Sequence, residues 1–233
     1  MHKILLADDD TELAEMLVEY LGREGFDVDT AHDGKTALLK ATSENYELLI
    51  LDIMMPELNG FDVLRQLRNT SQIPVLMLTA RGEDVDSIIG LEIGADDYLA
   101  KPCNPRVLVA HMRAILRRAE PHNISAASKT DDLQIEDLLL QRGKRRVLIN
   151  NHPIQMTSTE YSVLLVLLEH AGQVVSKQEL SVQALGRDLS AFDRSLDMHV
   201  SNLRKKLGTT MEGQERITTV RGIGYQYMGV TDE

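Results

Sequence analysis

Three carboxylates, one hydroxyl and one ammonium stand at the ends of short apolar runs in the first half of this 233-residue chain. Asp8 and Asp9 follow the run at residues 4–7, Asp52 follows 48–51, Thr79 follows 75–78 and Lys101 follows 98–100. Clustered carboxylates repel one another unless a cation sits among them. Hard oxygen donors favour Mg²⁺, which keeps several waters and accepts a phosphate oxygen as well. A carboxylate beside such a metal is a nucleophile able to form an aspartyl phosphate. The reading that follows makes Asp52 the nucleophile, Asp8 and Asp9 metal ligands, and Thr79 and Lys101 partners of the phosphoryl oxygens. The plainer alternative is that Asp8, Asp9 and Asp10 only cap the helix beginning near Thr11, where acids are favoured; Asp10 is expected to do just that.

For these groups to meet, the runs must be neighbouring strands. The runs at 4–7, 28–31, 48–51, 75–78 and 98–100 alternate with helical patterns, which predicts an α/β domain with a doubly wound five-stranded parallel sheet. Leu48, Leu49, Ile50 and Leu51 are apolar without alternation, as in a strand covered on both faces. Leu13, Met16, Leu17, Tyr20 and Leu21 recur at helical spacing and predict one covering helix. The carboxyl ends of parallel strands form one rim, where open sheets of this kind bind ligands.

The length suits two domains. Polar, small and aperiodic text predicts a linker at 120–130 between domains at 1–119 and 131–233. The second domain reads as α+β: β-like stretches at Leu133–Ile135, Leu138–Gln141 and 147–149, three helical patterns, then a hairpin from Ile217–Val220 and 225–228. Thr157 with Glu160, and Ser176 with Glu179, have capping-box spacing. In the third helical pattern Leu196, Val200, Leu203 and Leu207 form an apolar stripe, with Arg194, Ser201, Asn202 and Lys205 roughly opposite. Arg, Asn and Lys on an outward helix face suit entry into the major groove of DNA, and the hairpin tip carries Arg221 toward a minor groove. A solvated basic face is the alternative. The net charge of −11 does not exclude DNA, because residues 1–119 carry net −9 and residues 120–233 only −2. No apolar run approaches the ~18 residues of a membrane span, and the N-terminus lacks a signal-peptide pattern. A cytoplasmic protein without membrane association is expected. The single cysteine, Cys103, has no second thiol to pair with and is expected to be a small buried hydrophobe.

The segments ILLADDD, LILDIMMPELNGFDVLRQLR, PVLMLTAR and GLEIGADDYLAKP resemble the receiver domains of OmpR/PhoB-family two-component response regulators over residues 1–119, a flavodoxin-like fold. TSTEYSVLLVLLEHAGQVVSKQELSVQAL, RSLDMHVSNLRKKL and ITTVRGIGYQYM resemble the family's winged helix-turn-helix effector domain over residues 131–230. The resemblance implies a transcription factor rather than an enzyme, phosphorylated at Asp52 by a sensor histidine kinase. It implies Mg²⁺ held by Asp8, Asp9, Asp52 and the Met54 carbonyl. Thr79 and Ala80 would then lie by the phosphoryl group with Lys101, and Tyr98 would turn inward behind Thr79. The implied output is homodimerisation, binding to tandem half-sites in double-stranded DNA, and contact with RNA polymerase. Arg194, His199, Asn202, Arg204 and Lys205 are implied in DNA contact or its immediate support, with Thr219 and Arg221 in the wing. Cys103 stands where the family usually has Phe.

Receivers of this family pair through their fourth helix, fifth strand and fifth helix. The resemblance sets Asp96 against Arg118 of a second copy. His111 stands where Arg usually meets Asp97, a change that would make the dimer pH-sensitive, since imidazole gains its charge only as pH falls. Two other readings remain open at this stage. One is a haloacid-dehalogenase-type phosphatase, although residues 8–12 lack the final Thr or Val of that motif. The other is a receiver whose output domain binds protein instead of DNA.

Overall fold

The computed structural model describes residues 1–80, 84–120, 132–189 and 193–229, which fall into two compact units, Met1–Arg117 and Arg118–Glu233. Past Glu120, the expected linker lies outside the described residues.

The first unit runs β1 (His2–Ala7), α1 (Thr11–Arg23), β2 (Phe26–Ala31), α2 (Gly34–Ser43), β3 (Leu48–Asp52), α3 (Gly60–Arg68), β4 (Val75–Ala80), α4 (Asp84–Ile93), β5 (Asp97–Lys101) and α5 (Pro105–Ala119). Its five strands are all parallel, in the order β2-β1-β3-β4-β5. Every expected run lies inside an observed strand. The strands reach further, to Asp52, Ala80 and Lys101, because backbone pairing continues past the apolar runs, with Asp52 opposite Leu78 and Ala80 opposite Lys101. Leu48, Leu49, Ile50 and Leu51 are all fully buried, as the unbroken apolar run required. Asp10 caps α1 by accepting from Leu13 N–H at 3.0 Å. Ala14, Leu17 and Leu21 form its buried line, whereas Met16, expected among them, is exposed.

The second unit opens with a four-stranded antiparallel sheet of β6 (Leu133–Ile135), β7 (Leu138–Gln141), β8 (Arg146–Ile149) and β9 (His152–Ile154). Then come α6 (Ser158–Glu169), β10 (Val174–Ser176), α7 (Lys177–Leu180) continued by a π turn (Ser181–Leu185), α8 (Ser195–Leu207), β11 (Ile217–Val220) and β12 (Gly224–Tyr227). The last two strands and β10 form a sheet in the order β10-β12-β11. Both β9 and β10 escaped the sequence reading. Each is an edge strand too short to show alternation, and β9 carries Pro153, which a ladder tolerates only at an edge. Thr157 and Glu160 complete the capping box of α6, and Ser176 caps α7 through Glu179 N–H at 3.1 Å.

Candidate functional site

The strand ends bring the expected acids together. Asp8 leaves β1 with its amide bonded to the Ala31 carbonyl at 3.0 Å and its Oδ1 accepting from Asp10 N–H at 3.1 Å. Asp52 closes β3, 5% exposed, with Oδ1 accepting from Ile53 N–H at 2.9 Å. A Cβ on Gly60 would lie 2.2 Å from the Asp52 carbonyl oxygen, so only glycine lets α3 start this close to the site. Lys101, which precedes a cis peptide to Pro102, sets its Nζ 2.7 Å from Asp8 Oδ2 and 3.0 Å from Asp52 Oδ2. Carboxylate oxygens of Asp8, Asp9 and Asp52 all lie within 4.8 Å of one another.

Burial pushes the Asp52 carboxyl above its ordinary value, with the Asp8 charge adding to the rise and Lys101 opposing it. For Lys101 burial acts downward, but hydrogen bonds and charge from Asp8 and Asp52 outweigh it and raise the ammonium. The ammonium therefore stays charged between two carboxylates. Three acids sharing one cation are under-neutralised, and the exposed Asp9 leaves an open side, so the donor set fits a hard divalent ion.

Thr79 is buried at the end of β4. In the β4–β5 register Thr79 stands opposite Ala100 and Met77 opposite Tyr98. Alternation thus puts the half-buried Tyr98 on the same sheet face as Thr79, two residues away from the rim. Ala80 ends the strand. Met54, whose backbone carbonyl was an expected ligand, lies two residues after Asp52 with an exposed side chain.

Residues expected at the dimer interface also make contacts within one chain. His111 Nδ1 lies 2.9 Å from Asp97 Oδ2 within one chain, because α5 packs along β5 and brings residues 14 apart into contact. Asp96 is fully buried, accepts from Val75 N–H at 3.0 Å and lies 3.4 Å from Arg68, so its carboxylate is committed inside the fold. Arg118 occupies the last turn of α5.

In the second unit α8 buries Leu196, Val200, Leu203 and Leu207 as expected. Ser195, His199 and Asn202 make a second buried line, since steps of four and three residues stay on one flank of a helix. Asn202, expected to face outward, is only 5% exposed in this conformation. Arg194 and Lys205 are exposed and Ser201 is half-buried. Arg204 turns to the wing instead, donating to the Ile217 carbonyl and to Thr219 Oγ1, both at 2.8 Å, which makes it a support of that surface. Thr219 and Arg221 are exposed, the latter beside Gly222 at φ 75° in the hairpin turn.

One contributor was missed. Asp197 accepts from Tyr225 O–H at 2.5 Å and pairs with Lys177 at 2.6 Å, joining α8, β12 and the start of α7. Its signal was its standing as the single acid in the basic stretch 194–206.

Residues 4–113 match the family model of the response regulator receiver domain, and residues 151–227 that of the C-terminal domain of transcriptional regulatory proteins. The transcriptional regulatory protein CpxR of Escherichia coli (strain K12) is 48% identical over 229 residues, covering 97% of each chain. The alkaline phosphatase synthesis transcriptional regulatory protein PhoP of Bacillus subtilis (strain 168) is 38% identical over 229 residues, covering 96% of this chain and 95% of that one. Among solved structures, the response regulator DrrB of Thermotoga maritima, an OmpR/PhoB homologue, is similar with a TM-score of 0.52 and 29% identity over 98% of this chain and 100% of its own. With an acid-rimmed receiver fold, a DNA-binding output domain and relatives along its whole length that regulate transcription, the chain belongs to the OmpR/PhoB family of two-component response regulators.

Proposed function

We propose that a sensor histidine kinase phosphorylates Asp52, and that this promotes homodimerisation and binding to tandem half-sites in double-stranded DNA, where the protein regulates transcription together with RNA polymerase in the cytoplasm. The observation that carries the reading is Lys101 bridging Asp8 and Asp52 at 2.7 and 3.0 Å. Mg²⁺ would be held by Asp8, Asp9, Asp52 and the Met54 carbonyl, and when bound supplies charge neutralisation for phosphoryl transfer. The chain's own residues do the rest. Asp52 offers Oδ2, the oxygen paired with Lys101, to phosphorus while Ile53 N–H holds Oδ1 in place. Lys101 turns from Asp52 to a phosphoryl oxygen without leaving Asp8, and the Thr79 hydroxyl follows, vacating space for Tyr98. No helix among the described residues is long and apolar enough to cross a membrane.

Selecting bound sequences from a random DNA pool tests the output. Phosphorylated protein should enrich paired repeats and unphosphorylated protein should do so far less; a pool with no enriched sequence would overturn the reading. On the selected site, affinity should fall steeply with salt as phosphate-bound counterions are released. Lys205→Ala, removing an exposed cation from α8, should weaken all sequences alike and lower the salt slope by about one.

A further inference from the structure

We propose that the receiver holds a tail site for medium-chain acyl phosphates, so that a phosphoryl donor with an apolar tail seats that tail in a cavity beside Asp52. This rests on Asp52 being the phosphoryl acceptor. The cavity has a volume of ≈ 470 Å³ and lies between α1 and the segments that follow β3 and β5. Its walls include Leu13, Met16, Met54, Pro102 and Cys103, and its polar end is formed by Asp52 and Lys101. That is the composition of a small-molecule pocket, apolar with a few convergent polar groups, at the carboxyl rim of a parallel sheet.

Two features tie the cavity to an occupant with an anionic head and an apolar tail. Lys101 and Asp52 belong both to the cavity wall and to the acidic site, so a head group at the site opens directly onto the apolar part. Met16 and Met54, both lining residues, are 52% and 72% exposed overall, and their thioethers are adaptable enough to close over a tail. Cys103, partly exposed, lines the same cavity with a short side chain.

The step balances without a further reactant. An Asp52 carboxylate oxygen attacks phosphorus, the bond from phosphorus to the acyl oxygen breaks, and the donor leaves as a carboxylate anion. The acyl group is not transferred. A tail buried in the cavity strengthens binding by roughly 4-fold per methylene, from ~0.8 kcal/mol each; because the cavity is partly open, a hexanoyl donor should gain about 10-fold over acetyl in all.

The full chain carries its own occupancy probe, because Cys103 is its one thiol. Hexylphosphonate, which cannot transfer phosphorus, should slow labelling of Cys103 by N-ethylmaleimide, while methylphosphonate should not. With Mg²⁺ present, hexanoyl phosphate at subsaturating concentration should phosphorylate Asp52 about 10-fold faster than acetyl phosphate, each rate being normalised to the donor's hydrolysis in water. Cys103→Phe should fill the cavity and bring the ratio close to one, and Cys103→Ala should keep it. Labelling by acetyl phosphate with no chain-length preference and no protection of Cys103 overturns the tail site and leaves the acceptor reading standing. Failure of both donors to label Asp52 overturns the acceptor reading and the tail site with it.

Discussion

Asp52→Asn is expected to abolish acid-labile phosphorylation by acetyl phosphate and Mg²⁺, where the unaltered chain takes up one phosphoryl group. An amide matches the carboxylate in shape but offers no anionic oxygen to phosphorus, and Lys101 keeps its 2.7 Å partner in Asp8. The loss should therefore be chemical, with the fold retained. Asp52 sharpens the contrast through its raised pKa, caused first by burial. A carboxyl that is harder to ionise folded than unfolded contributes stability below the ordinary carboxylate value of ~3.9, and that contribution disappears as pH rises through the raised value. At neutral pH and without metal the buried charge is thus a cost that asparagine does not carry. The variant should melt no lower than its parent while failing to label. Intact-mass measurement after acetyl phosphate treatment checks the first point, and undiminished labelling would move the nucleophile away from Asp52. Thermal melting in chelator checks the second.

The acidic site was legible because each of its residues ends an apolar run. A strand buried on both faces needs an unbroken run, so the first polar residue marks the rim, as at Asp52 after Leu51. Asp96 and Asp97 read as surface acids for the opposite reason. Nothing local shows that Arg68, 28 positions away, lies against one and that His111 on α5 faces the other. In α8 the apolar stripe was correct, but a polar residue beside such a stripe can be buried or exposed with the same spacing, which is why Asn202 was misplaced. Arg204 was legible as a cation of the basic stretch 194–206, while its hold on Ile217 and Thr219 depends on where β11 returns. The same holds for Arg216, which the sequence leaves indistinguishable from any other basic residue before a strand.

Arg216 carries the largest stability effect expected in the output unit. It is 3% exposed just before β11. Its guanidinium meets Asp137, in the turn between β6 and β7, through Nη1 to Oδ1 at 2.8 Å and Nη2 to Oδ2 at 2.9 Å. Nη2 also donates to the Thr209 carbonyl after α8 at 3.0 Å. One side chain thus pins the four-stranded sheet to the wing and to the end of α8. Arg216→Met leaves Asp137 ionised, buried and deprived of its cation, which costs about 3–5 kcal/mol for pairs of this kind. Arg216→Met with Asp137→Leu removes both charges and should recover most of that loss. The pair also predicts an acid dependence. Hydrogen bonding from Arg216 is the main cause of the lowered Asp137 pKa. Its stabilisation is therefore present above the ordinary carboxylate value of ~3.9 and is lost as pH falls through the depressed one. Hydrogen exchange across a urea titration of the full chain, read by mass spectrometry on peptides of β6–β9 and α8, separates these effects from the receiver, whose peptides serve as the internal control. The single variant should shift the output peptides alone and flatten their acid-side loss. A midpoint unchanged in Arg216→Met would show that the sheet and the wing hold together without this pair.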